Sequence, residues 1–168
     1  MFNPCSKCDA RCCRTYTISV TAFDILRISK ATNKKLDEYA TLHEVRLLEY
    51  DPDMVLQTKD GYGYYLLGLK SHPCVFIGDD NKCAVYASAP ISCRSYPFQI
   101  SGRFNPRLCP VIPSVFFRLK GIQVDKEILL SELEFHKDFV SEWNKKPGRK
   151  KECIPFLVER ARETEPKI

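Results

Sequence analysis

The chain has 168 residues, 44% of them hydrophobic, and a net charge of +5. That size suits one domain with a real core, and no run approaches the roughly 18 consecutive apolar residues that a membrane helix needs. The charge is too mild to argue for nucleic acid. Met1-Phe2-Asn3-Pro4-Cys5 lacks the basic and apolar stretches of a secretory signal, so a cytoplasmic protein is expected, with no membrane partner.

The informative number is nine cysteines. In a reducing compartment a dense cysteine set points to metal or redox chemistry, and an odd count argues against a closed disulfide framework. A disulfide-stabilised hyperthermophile protein is the exception to that rule.

Residues 1–17 form a cysteine-rich lead-in. Thr21-Ala22-Phe23-Asp24 has the form of a capping box, opening a helix over 22–31 with Phe23, Ile25, Leu26 and Ile28 on its apolar side. Residues 34–50 read as a second helix, with Leu36, Tyr39, Ala40, Leu47 and Leu48 turned inward. Residues 54–58 and 64–69 read as strands joined by a turn at Lys59-Asp60-Gly61-Tyr62-Gly63. Residues 75–77 and 84–86 suggest another hairpin, 96–101 a short strand, 105–114 a proline-rich loop and 115–119 a last strand. Asp125 is a candidate N-cap for a helix to about residue 144, with Ile128, Leu129, Leu133, Phe139 and Trp143 inward and Pro147-Gly148 as its stop. Pro155 fits the first turn of a final short helix.

The sum is α+β: N-terminal helices, a short antiparallel sheet and C-terminal helices around a metal-organised middle. Residues 1–114 form the cysteine-cluster metal-binding domain. Residues 115–168 form a C-terminal strand and helical extension packed on the same domain.

Cys5-Ser-Lys-Cys8 is a C-x2-C element able to grip one ion, and Cys12-Cys13 follows it. Adjacent side chains diverge along a helix or strand, so the pair favours two neighbouring sites or a polynuclear cluster over one tetrahedral ion. Cys74, Cys83, Cys93 and Cys109 each lie beside a turn or a proline, where a fixed loop can present a ligand. Eight thiolates match two four-thiolate ion sites, or one iron–sulfur cluster plus one ion. Cys153 stands apart in a helix start and reads as an ordinary thiol. His43 and His136 fall in expected helices and read as surface or core residues. His72, two residues before Cys74, is a candidate ligand or a donor to one. Arg94, beside Cys93, is placed to offset thiolate charge.

These pieces together resemble the CxxCxxCC cysteine-cluster family, the YkgJ-like zinc- or iron-chelating domain proteins. The matching residues are Cys5-x2-Cys8-x3-Cys12-Cys13, Thr21-x2-Asp24-Ile25-x-Arg27-Ile28, Cys74-Val75-Phe76-Ile77, Cys83-Ala84-Val85-Tyr86, Pro90-x2-Cys93-Arg94-x2-Pro97-Phe98 and Cys109-Pro110. Two features depart from the family pattern. Three residues rather than two separate Cys8 from the Cys12-Cys13 pair, and Ala89 replaces the usual arginine before Pro90.

The resemblance implies a metal-chelating core, holding an iron–sulfur cluster or zinc ions on Cys5, Cys8, Cys12, Cys13, Cys74, Cys83, Cys93 and Cys109. It also touches flagellin lysine methylating enzymes, but no G-x-G nucleotide loop follows a strand here. The expected function is metal binding. The alternatives are an iron–sulfur oxidoreductase or modifying enzyme, and a zinc-stabilised adaptor for protein or RNA. The run Lys145-Lys146-Pro147-Gly148-Arg149-Lys150-Lys151 is expected to be a solvated loop between helices, and a nucleic-acid partner is not expected.

Overall fold

The computed structural model describes residues 9–96 and 126–164. The fold is α+β. Helix α1 spans Arg11–Thr15, α2 Ala22–Ala31 and α3 Leu36–Tyr39. Strand β1, Ala40–Val45, pairs antiparallel with β2, Tyr64–Leu69, in the register Ala40↔Leu69 and Leu42↔Leu67. Helix α4 spans Ile91–Ser95, α5 Lys126–Lys145 and α6 Lys150–Thr164.

Helix α2 is the centre of the core. It starts where the sequence predicts: Thr21 accepts the Asp24 N–H and Asp24 accepts the Thr21 N–H, closing a capping box. Ala22, Phe23, Ile25, Leu26 and Ile28 are all buried. They share one core with Leu67 and Leu69 of β2, Phe139 and Trp143 of α5, and Leu157 and Ala161 of α6. The C-terminal helices are thus part of the same core as the N-terminal ones.

Residues 34–50 do not form the expected helix. A single turn, α3, is capped by the Glu38 carboxylate accepting the Lys35 N–H at 2.6 Å, and the chain then extends as β1. Alternation explains the change: Ala40 and Leu42 are buried while Thr41 and His43 are only half-buried, the period of a strand with one face covered. Pairing with β2 outweighs the helical spacing of Leu36, Tyr39 and Leu47.

Residues 18–20 also lie along β2. Val20 donates to the Leu67 carbonyl at 3.1 Å and Leu69 donates to the Ile18 carbonyl at 3.0 Å. A Cβ on Gly68 would stand 2.6 Å from the His43 ring and 2.8 Å from the Ile18 carbonyl oxygen, so only glycine lets the segments approach this closely.

Two expected hairpins shrink to single bridges. Residues 54–58 contribute Leu56, which exchanges backbone hydrogen bonds with Tyr65 at 2.8 and 2.9 Å. Their neighbours are held by α5: Asn144 donates to the Val55 carbonyl at 2.7 Å and accepts the Gln57 N–H at 2.9 Å, and Trp143 donates to the Gln57 carbonyl at 2.6 Å. Residues 75–77 and 84–86 close around one bridge, Ile77↔Cys83.

Tyr96 follows α4 directly; the strands expected at 96–101 and 115–119, the 105–114 loop and the Asp125 cap otherwise lie outside the described residues. On α5, Leu129, Phe139 and Trp143 are buried as expected, but Ile128 is exposed. Pro155 is the sixth residue of α6 and not in its first turn. Its missing N–H leaves the Lys151 carbonyl, on an exposed residue, without a helical partner. No described helix is long and apolar enough to cross a membrane.

Candidate metal centre

Five of the eight singled-out cysteines surround one space. Cys12, Cys13, Cys74, Cys83 and Cys93 line a cavity of about 210 Å³. Cys5, Cys8 and Cys109 lie outside the described residues.

Each lining cysteine is placed by local backbone chemistry. Cys12 and Cys13 ride on α1, which begins after Ala10 at φ 58°, a left-handed conformation that alanine seldom adopts. Ala10 falls within the lengthened Cys8–Cys12 spacing. Cys74 donates its N–H to the Cys13 carbonyl at 2.8 Å, joining two distant sequence segments. Cys83 follows a turn in which Gly78 donates to the Lys82 carbonyl at 2.9 Å and Asn81 takes φ 60°, a conformation asparagine tolerates. The Arg14 guanidinium donates to Asn81 Oδ1 at 2.7 Å, tying that turn to α1. Cys93 sits on α4, where its N–H bonds the Pro90 carbonyl at 2.9 Å.

Asp24 fixes α4 to α2. Its Oδ1 accepts the Ile91 N–H at 3.0 Å and an Arg27 N–H. The Arg27 guanidinium also pairs with Glu132 of α5. Spacing alone reveals Asp24 only as a helix cap. The signal for its second role is the recurrence of Asp24 and Arg27 in the same ordered motif as the cysteines.

Cys12 Sγ and Cys13 Sγ stand 3.9 Å apart. Tetrahedral geometry with metal–sulfur bonds of about 2.3 Å puts ligand sulfurs roughly 3.8 Å apart. The expected divergence of the adjacent pair is therefore overturned: on this short helix both side chains turn into the same cavity. The contact between the two thiols splits their acidities: hydrogen bonding pulls the Cys12 pKa down to about 7 and, with burial, pushes that of Cys13 well up. Burial pushes the thiols of Cys74, Cys83 and Cys93 up. All five are free of disulfides. Among the described residues, no three His, Cys, Asp or Glu side chains yet converge closely enough to grip an ion.

The other candidates fall elsewhere. Arg94 follows Cys93 on α4 but does not line the cavity, and among the described residues its buried Nε has no hydrogen-bond partner. His72 is exposed and its Nε2 meets Thr17 Oγ1 at 3.1 Å. The His43 Nε2 donates to the Leu69 carbonyl at 2.8 Å. His136 is buried and accepts the Ala22 N–H on Nδ1 at 3.2 Å. Cys153 is fully buried in the core against α2, and burial raises its thiol to about 12. Sequence reasoning missed the apolar part of the cavity wall, among it Tyr16, Phe76, Val85 and Tyr96. Phe76 and Val85 flank cysteines in the motifs, which was the available signal.

No curated protein and no solved structure matches the chain. A family model does match, over residues 4–111, a span that takes in every cysteine from Cys5 to Cys109. The chain belongs to the CxxCxxCC family, described as a "putative zinc- or iron-chelating domain".

Proposed function

We propose that the protein holds its metal on thiolates of Cys12, Cys13, Cys74, Cys83 and Cys93, with Cys5, Cys8 and Cys109 completing the donor set. One observation carries this reading: four separate chain segments deliver five free thiols to a single cavity. Buried polar groups are ordinarily paired, and soft thiols facing one another suit zinc or iron. One tetrahedral ion takes four ligands, so five or more around one space favour a polynuclear centre, an iron–sulfur cluster or a pair of zinc ions. With no cation present, burial and mutual repulsion keep most of these thiols protonated. Metal binding therefore releases protons. Closure onto the metal requires rotation about the cysteine side-chain bonds.

Arg94 supports the same centre through its positive charge one residue from Cys93. The free thiols suit a reducing cytoplasm. The packing of α5 and α6 on α2 supports reading 1–114 as the metal-binding part and 115–168 as an extension that closes its core.

The test is elemental analysis with an absorption spectrum on protein purified without oxygen. Iron with equal labile sulfide and a broad band near ~400 nm assigns a cluster. About two zinc ions per chain without colour assigns closed thiolate sites. Protein free of both metals overturns the reading.

A further inference from the structure

The fold brings a basic turn and an exposed aromatic together. Lys145, Lys146, Arg149, Lys150 and Lys151 surround the link between α5 and α6, and all are exposed. Two hydrogen bonds fasten the 59–63 loop to this link: the Lys59 backbone N–H donates to the Gly148 carbonyl at 2.9 Å, and the Lys150 backbone N–H donates to Asp60 Oδ1 at 2.8 Å. Lys59 thereby becomes a sixth cation of the patch. Among the described residues, none of the six forms an ion pair.

The carboxylates nearby are spent on backbone. Asp60 takes the Lys150 N–H, and Glu152 accepts the Arg149 N–H at 2.8 Å, so both cap the start of α6. Glu44 stands near Gly63 on the β1 side of the loop. The surface keeps an excess of positive charge.

Tyr62 is fully exposed, and the loop geometry accounts for that. A Cβ on Gly61 would meet the Tyr65 hydroxyl at 2.7 Å and one on Gly63 would meet it at 3.2 Å. Both glycines lie down on the Tyr65 ring, and the residue between them is turned out. The other face of this structure is held by Lys150, whose Nζ lies 4.3 Å from the Tyr65 ring centroid. A solvated helix link has no use for a fully bared aromatic, because a tyrosine ring gains by being covered.

We propose that this surface binds single-stranded nucleic acid, with Lys145, Lys146, Arg149 and Lys59 on phosphates and a base stacked on Tyr62. Cations that track a backbone beside an aromatic platform are the elements of such a site. A membrane surface is the poorer fit, since one tyrosine with no apolar neighbours on its loop offers no wedge for lipid. None of these residues lines the cysteine cavity, so the site stands whether or not the metal reading does.

The experiment is fluorescence anisotropy of a labelled short oligouridylate, and of its deoxythymidylate counterpart, titrated with the full chain. Binding at about 50 mM salt that weakens steeply as salt rises is expected. Lys145→Gln/Lys146→Gln/Arg149→Gln should flatten the log–log salt slope by about 2. Tyr62→Ala should weaken binding about tenfold or more while leaving that slope unchanged. All substituted positions are exposed, and unchanged far-UV dichroism and metal content will show that the variants fold. No binding at low salt, or binding indifferent to both variants, overturns the proposal. So does binding to phosphatidylserine vesicles with none to either oligonucleotide.

Discussion

Asp24 of α2 accepts the backbone N–H of Ile91, the first residue of α4, at 3.0 Å, while its second oxygen caps its own helix at Thr21. One carboxylate, 3% exposed, thus serves two helix starts and the Arg27 guanidinium. It links the α2 core to the segment bearing Cys93.

Asp24→Asn should therefore cost more than a surface cap. It leaves Arg27 partly unpaired and puts an amide N–H₂ against donors that need an acceptor. Removing one partner of a buried ion pair typically costs about 3–5 kcal/mol. Arg27 keeps Glu132, which places this variant toward the low end. A thermal melt should fall by roughly 6–12 °C for a chain of this size, and metal content should fall with it. A variant melting with the parent would show that Asp24 does not hold α4.

His136 makes stability depend on pH. Burial lowers its pKa from 6.5 to about 4, against an opposing pull from Asp24. Between those values the unfolded chain takes up a proton that the folded chain refuses. Stability is thus full above 6.5 and declines as pH falls toward 4, by about 3 kcal/mol in total. Urea midpoints measured from pH 7 to 4.5 should show the decline. His136→Asn, which retains an acceptor for the Ala22 N–H, should lose that part of the slope; an unaltered slope would exclude His136 as its source.

Asn144 substitutes for a missing strand. Its amide pairs with both the Val55 carbonyl and the Gln57 N–H, as a neighbouring backbone would. Asn144→Ala should cost about 2 kcal/mol in urea denaturation, two bonds at roughly 1 kcal/mol each. Asn144→Asp keeps the acceptor for Gln57 but faces the Val55 carbonyl with a carboxylate oxygen, so it should cost at least as much at neutral pH. An aspartate variant as stable as the parent would mean the 54–58 segment is held by Leu56 and Trp143 alone.

How far the sequence could be read depended on the range of the interaction. The α2 cap was legible because Thr21 and Asp24 are three residues apart and their bonds are local. The 34–50 segment was not, because Tyr39, Ala40 and Leu47 fit a helical period too. The deciding partners of Ala40 and Leu42 lie at Leu69 and Leu67, beyond any local pattern. The cysteines were legible through their turn and proline neighbours, which give chain direction without needing a ladder. The closeness of the Cys12 and Cys13 sulfurs was not, since side-chain rotation rather than spacing sets it. The role of Asp24 toward Ile91 spans 67 residues, and no periodicity encodes that.

Cys153 separates a core thiol from a metal thiol. It is fully buried between Leu157, Val158 and the α2 side chains, and it lies outside the cavity. Cys153→Ala removes one sulfur from a packed core and should cost on the order of 1–2 kcal/mol, with metal content unchanged. Cys153→Ser should be worse, since it buries a hydroxyl in an apolar setting. Cys74→Ser and Cys93→Ser should act on the metal. Serine there also buries a hydroxyl against a mostly apolar wall and costs some stability, but metal per chain should drop and the protons released on zinc addition should decrease. Metal analysis beside a melt of each variant gives both quantities. If Cys153→Ala lost as much metal as Cys74→Ser, the cavity would not be the metal centre, and the ligand set would have to be sought around α6.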